Sequence, residues 1–596
     1  MRFFPAATQA LRKVNISKWV NNLRQLGSLT ALCATENDER FPVYDFANPG
    51  GKWASTLYKL AYGKIFPAGG IPFWTGENLK GTILYSPAVR LFLLSVFLPF
   101  CMFARPVESV AADAPLQPLD DLVLNYHLMH PGGDSSPSDP NAAFYLDGTC
   151  HLHYILEHPW NGKSSCSFVH VSSPDMLHWT WQSTTLQPTF TGHGMFSGTG
   201  FITKEGQPAI IYHGQGSGRN WIVIAKDNQL SDWEKPYPIE VKTADGQPST
   251  IRFWDPDCFR IGDTYYAISG GQNPPLIKSK DLKNWTYVGD FLQHDLPNVA
   301  LGEDISCGNF FKLGDKWMLL CISHPFGCRY YLGDWDATAE QFVPEKAGRM
   351  NWHREGQSLN QLCRADVFAP ESVLTPDGRR VMWAWCAELD PATRRKSIQS
   401  LPRELSLPAD GVLRIKPIRE LESLRYEPIV LHDVQVSENK DRFFGVFACN
   451  RIAELPGDAV ELRITVDRAQ AERRCFGITL FSDGKGGGLP ILIRNDTGTV
   501  RVGDTEAPFA VSDLPPGEDV ELRVFIDKYF VEVFVNDRQA MVATYMGYRG
   551  KTGLDEYSFG PPAPLKKVEI WKLKPANKGF REARTSRVWE PATGQQ

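Results

Sequence analysis

The chain has 596 residues, of which 42% are hydrophobic and 22% charged, and its formal net charge is −5. This length exceeds one average domain, so two or three domains are expected. The sequence has no long basic run, and phosphate recognition needs clustered Lys and Arg, which argues against a nucleic-acid partner. The 17 Trp residues, within a 12% aromatic share, suit strand packing or stacking on sugar rings.

The N-terminal region, residues 1–120, is interpreted as a leader with a signal-like or anchor segment near residues 90–112. Its apolar run, residues 91–104, is short for a membrane span and suits a secretory hydrophobic segment followed by small residues. Its distance from residue 1 is unusual for a signal peptide, so one hypothesis places the true start near residue 89. We predict an exported protein, secreted or periplasmic, with membrane anchoring through residues 91–104 as the alternative.

Residues 121–400 repeat one pattern five times: a strand, a turn that contains a Gly next to an Asp or Glu, and a second strand. Such turns between β-branched and aromatic runs are strong hairpin signals. The five predicted hairpins span residues 142–158, 198–213, 257–269, 309–324 and 371–386. A tryptophan recurs after the first four hairpins, at Trp179, Trp233, Trp285 and Trp335. A period near 50 residues with several strands per repeat is typical of a β-propeller, and five repeats predict five blades.

The C-terminal part no longer shows this repeat. Residues 401–426 are interpreted as a linker, residues 427–574 as a β-sandwich of short alternating strands, and residues 575–596 as a frayed polar tail. The predicted fold is therefore all-β, a five-bladed β-propeller followed by a C-terminal β-sandwich. The sequence leaves open whether the sandwich caps the propeller, binds polysaccharide or forms a homodimer.

Acidic residues precede the first strand of several repeats. Asp139, Ser197 and Asp255 lie seven or eight positions before the turns of their hairpins. Because the first strand of each blade lines the central channel, this shared register predicts that the three side chains meet. In the fourth repeat Glu303 and Asp304 lie just upstream of the strand, and spacing does not choose between them.

Such a cluster suggests glycoside cleavage. Hydrolysis with retention needs two carboxyl groups across the scissile bond, one as nucleophile and one as proton donor. The donor needs a raised pKa, which burial or neighbouring negative charge supplies. Spacing alone would also fit a propeller glycosidase that acts on arabinosides.

Five segments in this order resemble glycoside hydrolase family 32, the invertases, inulinases and levanases. They lie at residues 138–141, 195–199, 254–256, 400–407 and 531–537. The resemblance covers residues 121–574 and implies a five-bladed propeller followed by a sandwich. It also disfavours the arabinoside alternative.

The resemblance implies that Asp139 is the nucleophile of a covalent fructosyl-enzyme, Glu303 the acid/base and Asp255 the transition-state stabiliser. The candidate substrate-binding residues are Asn141, Phe196, Ser197, Trp160 and Asp304. The expected substrate is sucrose, inulin or levan, and no metal or organic cofactor is implied.

The chain departs from the family pattern at four points. Trp254 stands where the family has Arg, Ile155 stands where it has Gln, Ala142 stands where it has Gly, and Ser306-Cys307 stands where it has Glu-Cys. The acid/base role is therefore assigned to Glu303, the nearest Glu, with Asp304 as the alternative. Two other functions stay open: a fructosyltransferase on the same scaffold, and a degenerate carbohydrate-binding protein.

Overall fold

The computed structural model describes residues 122–132, 136–299, 303–350, 352, 367–387, 397–435, 450–472, 475–503, 505–559 and 564–594. The predicted leader, residues 1–120, lies outside the described residues together with its apolar run at 91–104, so export and anchoring stay predictions. In the part of the chain that the structure describes, no helix is long and apolar enough to cross a membrane.

The described residues between 136 and 417 form five sheets, which are antiparallel except for one short strand of the third. The first contains β1 (Ser136–Leu146), β2 (Thr149–Trp160), β3 (Lys163–Ser173) and β4 (Thr180–Trp181). After helix α1 (Pro188–Thr191), the second contains β5 (Met195–Ile202), β6 (Pro208–Gly214), β7 (Arg219–Ile224) and β8 (Tyr237–Pro238). The third contains β9 (Val241–Lys242), β10 (Pro256–Ile261), β11 (Thr264–Ser269), β12 (Pro275–Ser279) and β13 (Trp285–Asp290), with β9 parallel to β13.

Two more sheets follow. The fourth contains β14 (Ser306–Leu313), β15 (Lys316–Ser323), β16 (Gly327–Asp336) and β17 (Gln341–Arg349). The fifth contains β18 (Phe368–Leu374), β19 (Arg380–Ala387), β20 (Ser397–Gln399), β21 (Arg403–Ser406) and β22 (Arg414–Pro417).

The first long strands of the five sheets close into a ring. Contacts run from β1 to β5, β5 to β10, β10 to β14, β14 to β18 and back from β18 to β1. Each predicted hairpin is present, and the first turns through Asp147 and Gly148 at φ 48° and 80°, as a two-residue hairpin requires. The predicted five-bladed propeller is therefore confirmed.

Recurring tryptophans contact neighbouring blades, since the Trp179 ring lies 6.0 Å from that of Trp383 and the Trp233 indole N–H donates to the Thr185 hydroxyl at 3.1 Å. Before Trp179 the carboxylate of Asp175 accepts hydrogen bonds from the backbone N–H groups of residues 177 and 178. Asp281 caps the turn before Trp285 in the same way. The indoles that follow are buried, with exposures of 5% for Trp179 and 2% for Trp285.

The C-terminal strands form two six-stranded sheets, which confirms the predicted sandwich. One orders β23 (Arg425–Val434), β34 (Leu565–Leu573), β25 (Ala459–Val466), β30 (Val520–Asp527), β31 (Phe530–Val535) and β32 (Gln539–Thr544). The other orders β24 (Asn450–Glu454), β33 (Gly553–Phe559), β26 (Cys475–Ser482), β27 (Leu489–Arg494), β28 (Thr499–Val502) and β29 (Thr505–Pro508). Short helices are α2 (Arg468–Ala471) and α3 (Lys578–Ser586), with 3₁₀ turns at Arg419–Leu424, Val511–Asp513 and Met546–Tyr548.

The structure differs from the predicted domain boundaries at two places. Most of the predicted linker, residues 401–426, belongs to the fifth blade, because β21 pairs back onto β19 and β22 pairs with β21. The predicted frayed tail, residues 575–596, contains α3, whose Phe580 is buried. Beyond α3, Trp589 packs edge-on against His130 at 4.3 Å. These apolar side chains hold the C-terminal segment on the propeller.

A buried ionic cluster joins propeller and sandwich. His127 lies 2.9 Å from Asp527 and 3.3 Å from Glu532, and Arg403 donates to Glu532 at 2.7 Å. All four side chains are excluded from solvent. Removing one partner would leave an unpaired buried charge, so the cluster fixes the relative placement of the two domains.

Candidate active site

The inner strands bring Asp139, Ser197 and Asp255 together at one end of the propeller channel. The Ser197 hydroxyl donates to Asp139 Oδ2 at 2.8 Å. The Cys307 sulfur lies 3.7 Å from Asp139 Oδ2 and 3.5 Å from Asp255 Oδ2. Three residues that share a register in separate repeats thus meet around a cysteine from a fourth blade.

Asp139 is held by an irregular stretch of β1. The pairing of β1 with β2 shifts between Pro137 and Pro140, and Ala142 adopts a φ of 46°. The Asn141 amide donates to the main-chain oxygen of Asp139 at 2.8 Å and accepts from the Gly198 N–H at 2.8 Å. Asn141 is only 2% exposed and its contacts position Asp139, and its role in binding substrate stays a prediction.

The two carboxyl groups lie in a poorly solvated environment. Burial raises the pKa of Asp139, although the hydrogen bond from Ser197 opposes that shift. Burial, reinforced by the negative charge of Asp139, raises the pKa of Asp255 to about 6. Burial likewise raises the pKa of the Cys307 thiol, which stays neutral between the two acids. A desolvated carboxylate is a stronger nucleophile than one surrounded by water.

Glu303 does not have the environment of a proton donor. Its side chain is fully buried, Arg329 donates to Oε2 at 2.8 Å, and Arg349 donates to Oε1 at 2.9 Å. Two guanidinium groups favour the carboxylate over the carboxylic acid, and they occupy both of its oxygens. This arrangement argues against the predicted acid/base role and makes Glu303 a structural anchor.

Asp304 forms a pair with His324, which the sequence reasoning did not single out. His324 Nδ1 lies 2.6 Å from Asp304 Oδ2, and its backbone N–H donates to Oδ1 at 2.8 Å. The Ser306 hydroxyl adds a bond to Oδ2 at 2.9 Å. Burial alone would raise the pKa of Asp304, but the bonds from His324 prevail and lower it to about 2. The same bond raises the pKa of His324.

The Asp304–His324 pair borders a cavity of about 600 Å³. This volume lies within the range of small-molecule sites. The lining residues are Ile251, Arg252, Trp254, Gly270, Gly271, Gln272, Asn273, Pro275, Tyr287, Asp290, Asp304 and His324. Gly270, one of the lining residues, donates its N–H to the main-chain oxygen of Asp255 at 3.0 Å, so the cavity adjoins the segment that carries Asp255.

Aromatic rings continue this wall. Phe196 stacks on His213 with 6.4 Å between ring centroids, and His213 lies 5.3 Å from Trp254. Phe196 and Ser197 are both predicted to bind substrate. Ser197 belongs to the acid cluster, and the Phe196 ring lies in the aromatic wall beside it. Arg252 sits over the Trp254 ring at 5.5 Å.

Trp160 has a different environment from the one predicted. It ends β2, next to Asn161, whose N–H donates to the main-chain oxygen of Thr593 at 2.9 Å. The indole fills the space against Gly594, where an added Cβ would come within 2.5 Å of the ring. The C-terminal segment covers this side chain, which argues against the predicted substrate-binding role.

Among the described residues, no group of three or more His, Cys, Asp or Glu side chains is arranged to hold a metal ion. The chemistry that the site offers is that of carboxyl groups and an imidazole beside an aromatic-walled cavity.

Paired buried carboxyls at the mouth of a five-bladed propeller define a glycoside-cleaving class of enzyme. The Glycosyl hydrolases family 32 N-terminal domain matches residues 134–417, and the family 32 C-terminal domain matches residues 420–572. The chain belongs to glycosyl hydrolases family 32, as the sequence motifs predicted. It is a glycosidase of the β-fructofuranosidase type, which hydrolyses O-glycosyl bonds.

Relatives with known names agree with this assignment. The raffinose invertase of Escherichia coli is 27% identical over 459 residues, covering 70% of this chain and 88% of that protein. The structure of fructan 1-exohydrolase IIa from Cichorium intybus is similar with a TM-score of 0.60 at 17% identity, covering 77% and 98% of the two chains. The structure of the sucrose-6-phosphate hydrolase from Lactobacillus gasseri is similar with a TM-score of 0.59 at 19% identity, covering 84% of this chain and 100% of that chain.

Proposed function

We propose that the protein releases fructose from a β-fructofuranoside with retention, using Asp139 as the nucleophile. The observation that carries this proposal is the meeting of Asp139 and Asp255 around Cys307, next to the cavity. A covalent fructosyl-enzyme requires a carboxylate with a free approach to the anomeric carbon, and Asp139 is held by Ser197 on one oxygen only.

Asp255 is proposed to bind ring hydroxyls of the fructosyl unit. It lies beside Asp139, and burial together with that neighbouring charge outweighs the hydrogen bonds from Cys307 and raises the pKa of Asp255 to about 6. Hydroxyl groups of a bound sugar would add further donors to this carboxylate. The resulting hydrogen bonds strengthen as positive charge develops on the ring, so they stabilise the transition state more than the ground state.

Proton transfer to the leaving oxygen is proposed to come from the wall formed by Asp304 and His324. Glu303, the first candidate from the sequence, is locked between Arg329 and Arg349. Ser306, which stands where the family has Glu, is fully buried, and its hydroxyl donates a hydrogen bond to Asp304. The Asp304–His324 pair lines the cavity.

Sucrose is the proposed substrate, with inulin and levan as alternatives. The support is the names of the relatives, an invertase and a sucrose-6-phosphate hydrolase. The cavity of about 600 Å³ has room for the second sugar, and the Trp254 ring offers a stacking surface.

The experiment compares fructose release from sucrose, inulin and levan by wild type, Asp139→Asn and Asp232→Asn. Asp232 is an exposed carboxylate that pairs with Lys226, so its variant is the matched control. We expect wild-type rates in the control and a loss of roughly 10⁴-fold or more in Asp139→Asn, as for removal of a nucleophile.

The stereochemistry of the first product decides the mechanism. Retention gives β-fructofuranose, which nuclear magnetic resonance can detect before it equilibrates in solution. Initial release of the α anomer would refute the covalent route. Oligomers formed at high sucrose would indicate fructosyl transfer. Sugar binding by calorimetry without any fructose release would indicate a carbohydrate-binding protein.

A further inference from the structure

We propose that His324, oriented by Asp304, is the general acid that protonates the leaving oxygen and the general base that then activates water. This inference rests on the proposed function. It gives to a histidine the task that the family resemblance assigns to a glutamate at the position of Ser306.

The geometry of the pair is that of an oriented imidazole. Asp304 fixes His324 twice, through the backbone N–H at 2.8 Å and through Nδ1 at 2.6 Å. Nδ1 is thereby occupied, and within the described part of the chain Nε2 makes no hydrogen bond. The His324 side chain is 52% exposed and lines the cavity, so Nε2 is accessible to a bound sugar.

The imidazole is also close enough to the acid cluster to affect its charge. The positive charge of His324 lowers the pKa of Asp139 and of Asp255, against the larger effect of burial. In return both carboxylates raise the pKa of His324, although less than the hydrogen bond that His324 donates to Asp304 does. Other charged groups on the cavity wall are Arg252 and Asp290, and the Phe368 ring packs edge-on at 6.0 Å.

The other candidates for the proton are excluded by their surroundings. Asp304 has a pKa of about 2 and stays ionised near neutral pH. Glu303 accepts from two arginines and is fully buried. Among Glu303, Asp304, Ser306 and His324, only His324 therefore combines a transferable proton near neutral pH with access to the cavity.

The proposed reaction has two balanced steps. In the first, an Asp139 oxygen bonds to the anomeric carbon, the bond from that carbon to the leaving oxygen breaks, and the proton on His324 Nε2 passes to that oxygen. In the second, water attacks the anomeric carbon and gives its proton to Nε2 while the ester bond to Asp139 breaks. The sum is hydrolysis with both residues restored.

The test uses two substrates that differ in their need for an acid. Sucrose has a sugar alkoxide leaving group that must be protonated, whereas β-fructofuranosyl fluoride releases fluoride without protonation. For His324→Asn assayed with added azide, we expect sucrose cleavage to fall roughly 10²–10⁴-fold, while cleavage of the fluoride stays within about tenfold of wild type. Azide needs no general base, so it takes the place of water in the second step and is captured as fructosyl azide.

A matched control exists elsewhere on the propeller. His178 Nδ1 lies 2.7 Å from Asp175 Oδ2 in an exposed turn of the first blade, so His178→Asn removes a similar pair away from the site. This variant should cleave both substrates at wild-type rates. Glu303→Gln should keep the wild-type ratio of sucrose to fluoride cleavage, whatever its effect on stability.

The pH profile tests the role of Asp304 independently of the His324 variant. Loss of the carboxylate removes the main cause of the raised pKa of His324, so Asp304→Asn should move the basic limb of the sucrose rate to lower pH. Equal losses on both substrates in His324→Asn with azide present, or an unmoved basic limb in Asp304→Asn, would overturn this inference alone. Failure of wild type to cleave either substrate would overturn the proposed function with it.

Discussion

Two groups of buried acids occupy the propeller channel, and they differ in how their carboxyls are satisfied. Asp255 belongs to the mouth cluster with Asp139, whereas Asp257, two positions later, belongs to a deeper cluster with Glu371. Asp255 lies at 3.5 Å from a weakly donating thiol. Asp257 accepts 2.7 Å bonds from the Thr199 hydroxyl and from the Phe310 N–H. Aspartate therefore has two roles in the channel: Asp255 at the mouth is placed for catalysis, and Asp257 below it stabilises the fold.

The deep cluster ties the inner strands together. Asp257 on β10 accepts from β5 and β14, as just described, and Glu371 on β18 accepts from the Ala143 N–H on β1 at 3.3 Å. Asn309 on β14 donates to Glu371 at 3.4 Å. All five inner strands thus contribute to one hydrogen-bonded plug. At the mouth, Asp255 accepts from the Cys307 N–H and lies beside its thiol, and Asp139 accepts from the Ser197 hydroxyl, so fewer strands are tied together there.

Next to the loss in Asp139→Asn, the largest expected effect is that of Asp255→Ala on catalysis. Removing a group that stabilises the transition state should lower kcat/KM for sucrose by roughly 10³–10⁴-fold. The melting temperature should stay the same or rise, because the variant loses a carboxyl group whose pKa is raised by burial and, to a lesser degree, by the charge of Asp139. Steady-state kinetics and calorimetry on the same preparation measure both quantities. A fall in melting temperature of many degrees would contradict the functional assignment of the mouth cluster.

Asp257→Ala should show the opposite pattern. It leaves the Thr199 hydroxyl and the Phe310 N–H without their acceptor in the channel, which should lower the free energy of unfolding by about 2–4 kcal/mol. Activity per folded molecule should remain within about threefold of wild type. Urea unfolding followed by fluorescence measures the first quantity. A loss of kcat/KM as large as in the Asp255 variant would remove the distinction between the clusters.

The fold was predictable because local signals repeat. Each hairpin turn carries its own Gly-containing dipeptide, and the inner strands share one register, so the sequence alone brought Asp139, Ser197 and Asp255 to one place. This register argument did not identify site residues that lie outside the first strand of each blade. His324 follows β15, the second strand of its blade, and no inner-strand register points to it.

Contacts between distant segments decided the remaining cases. Glu303 is fixed by Arg329 on β16 and Arg349 on β17, pairings that a spacing argument cannot reveal. Trp160 is covered by the C-terminal segment, more than 400 positions later in the sequence. The predicted tail packs for a similar reason, since its few apolar residues find partners only after the blades have formed.

The smallest effect expected is a pH-dependent stabilisation by Glu371→Gln in the deep cluster. Burial, with lesser help from the charge of Asp257, raises the pKa of Glu371 from 4.5 to about 8. The folded protein therefore binds one proton more than the unfolded chain between these values, and its free energy of unfolding falls as pH rises through that window. Glutamine resembles the protonated acid and titrates in neither state. The variant should match wild type near pH 5 and exceed its melting temperature at pH 9 by about 2–8 °C, equivalent to about 1–3 kcal/mol.

Glu205→Gln, at the exposed turn of the second hairpin, should show no such divergence. A gap between Glu371→Gln and wild type that is the same at pH 5 and pH 9 would mean that this carboxyl does not change its protonation on folding.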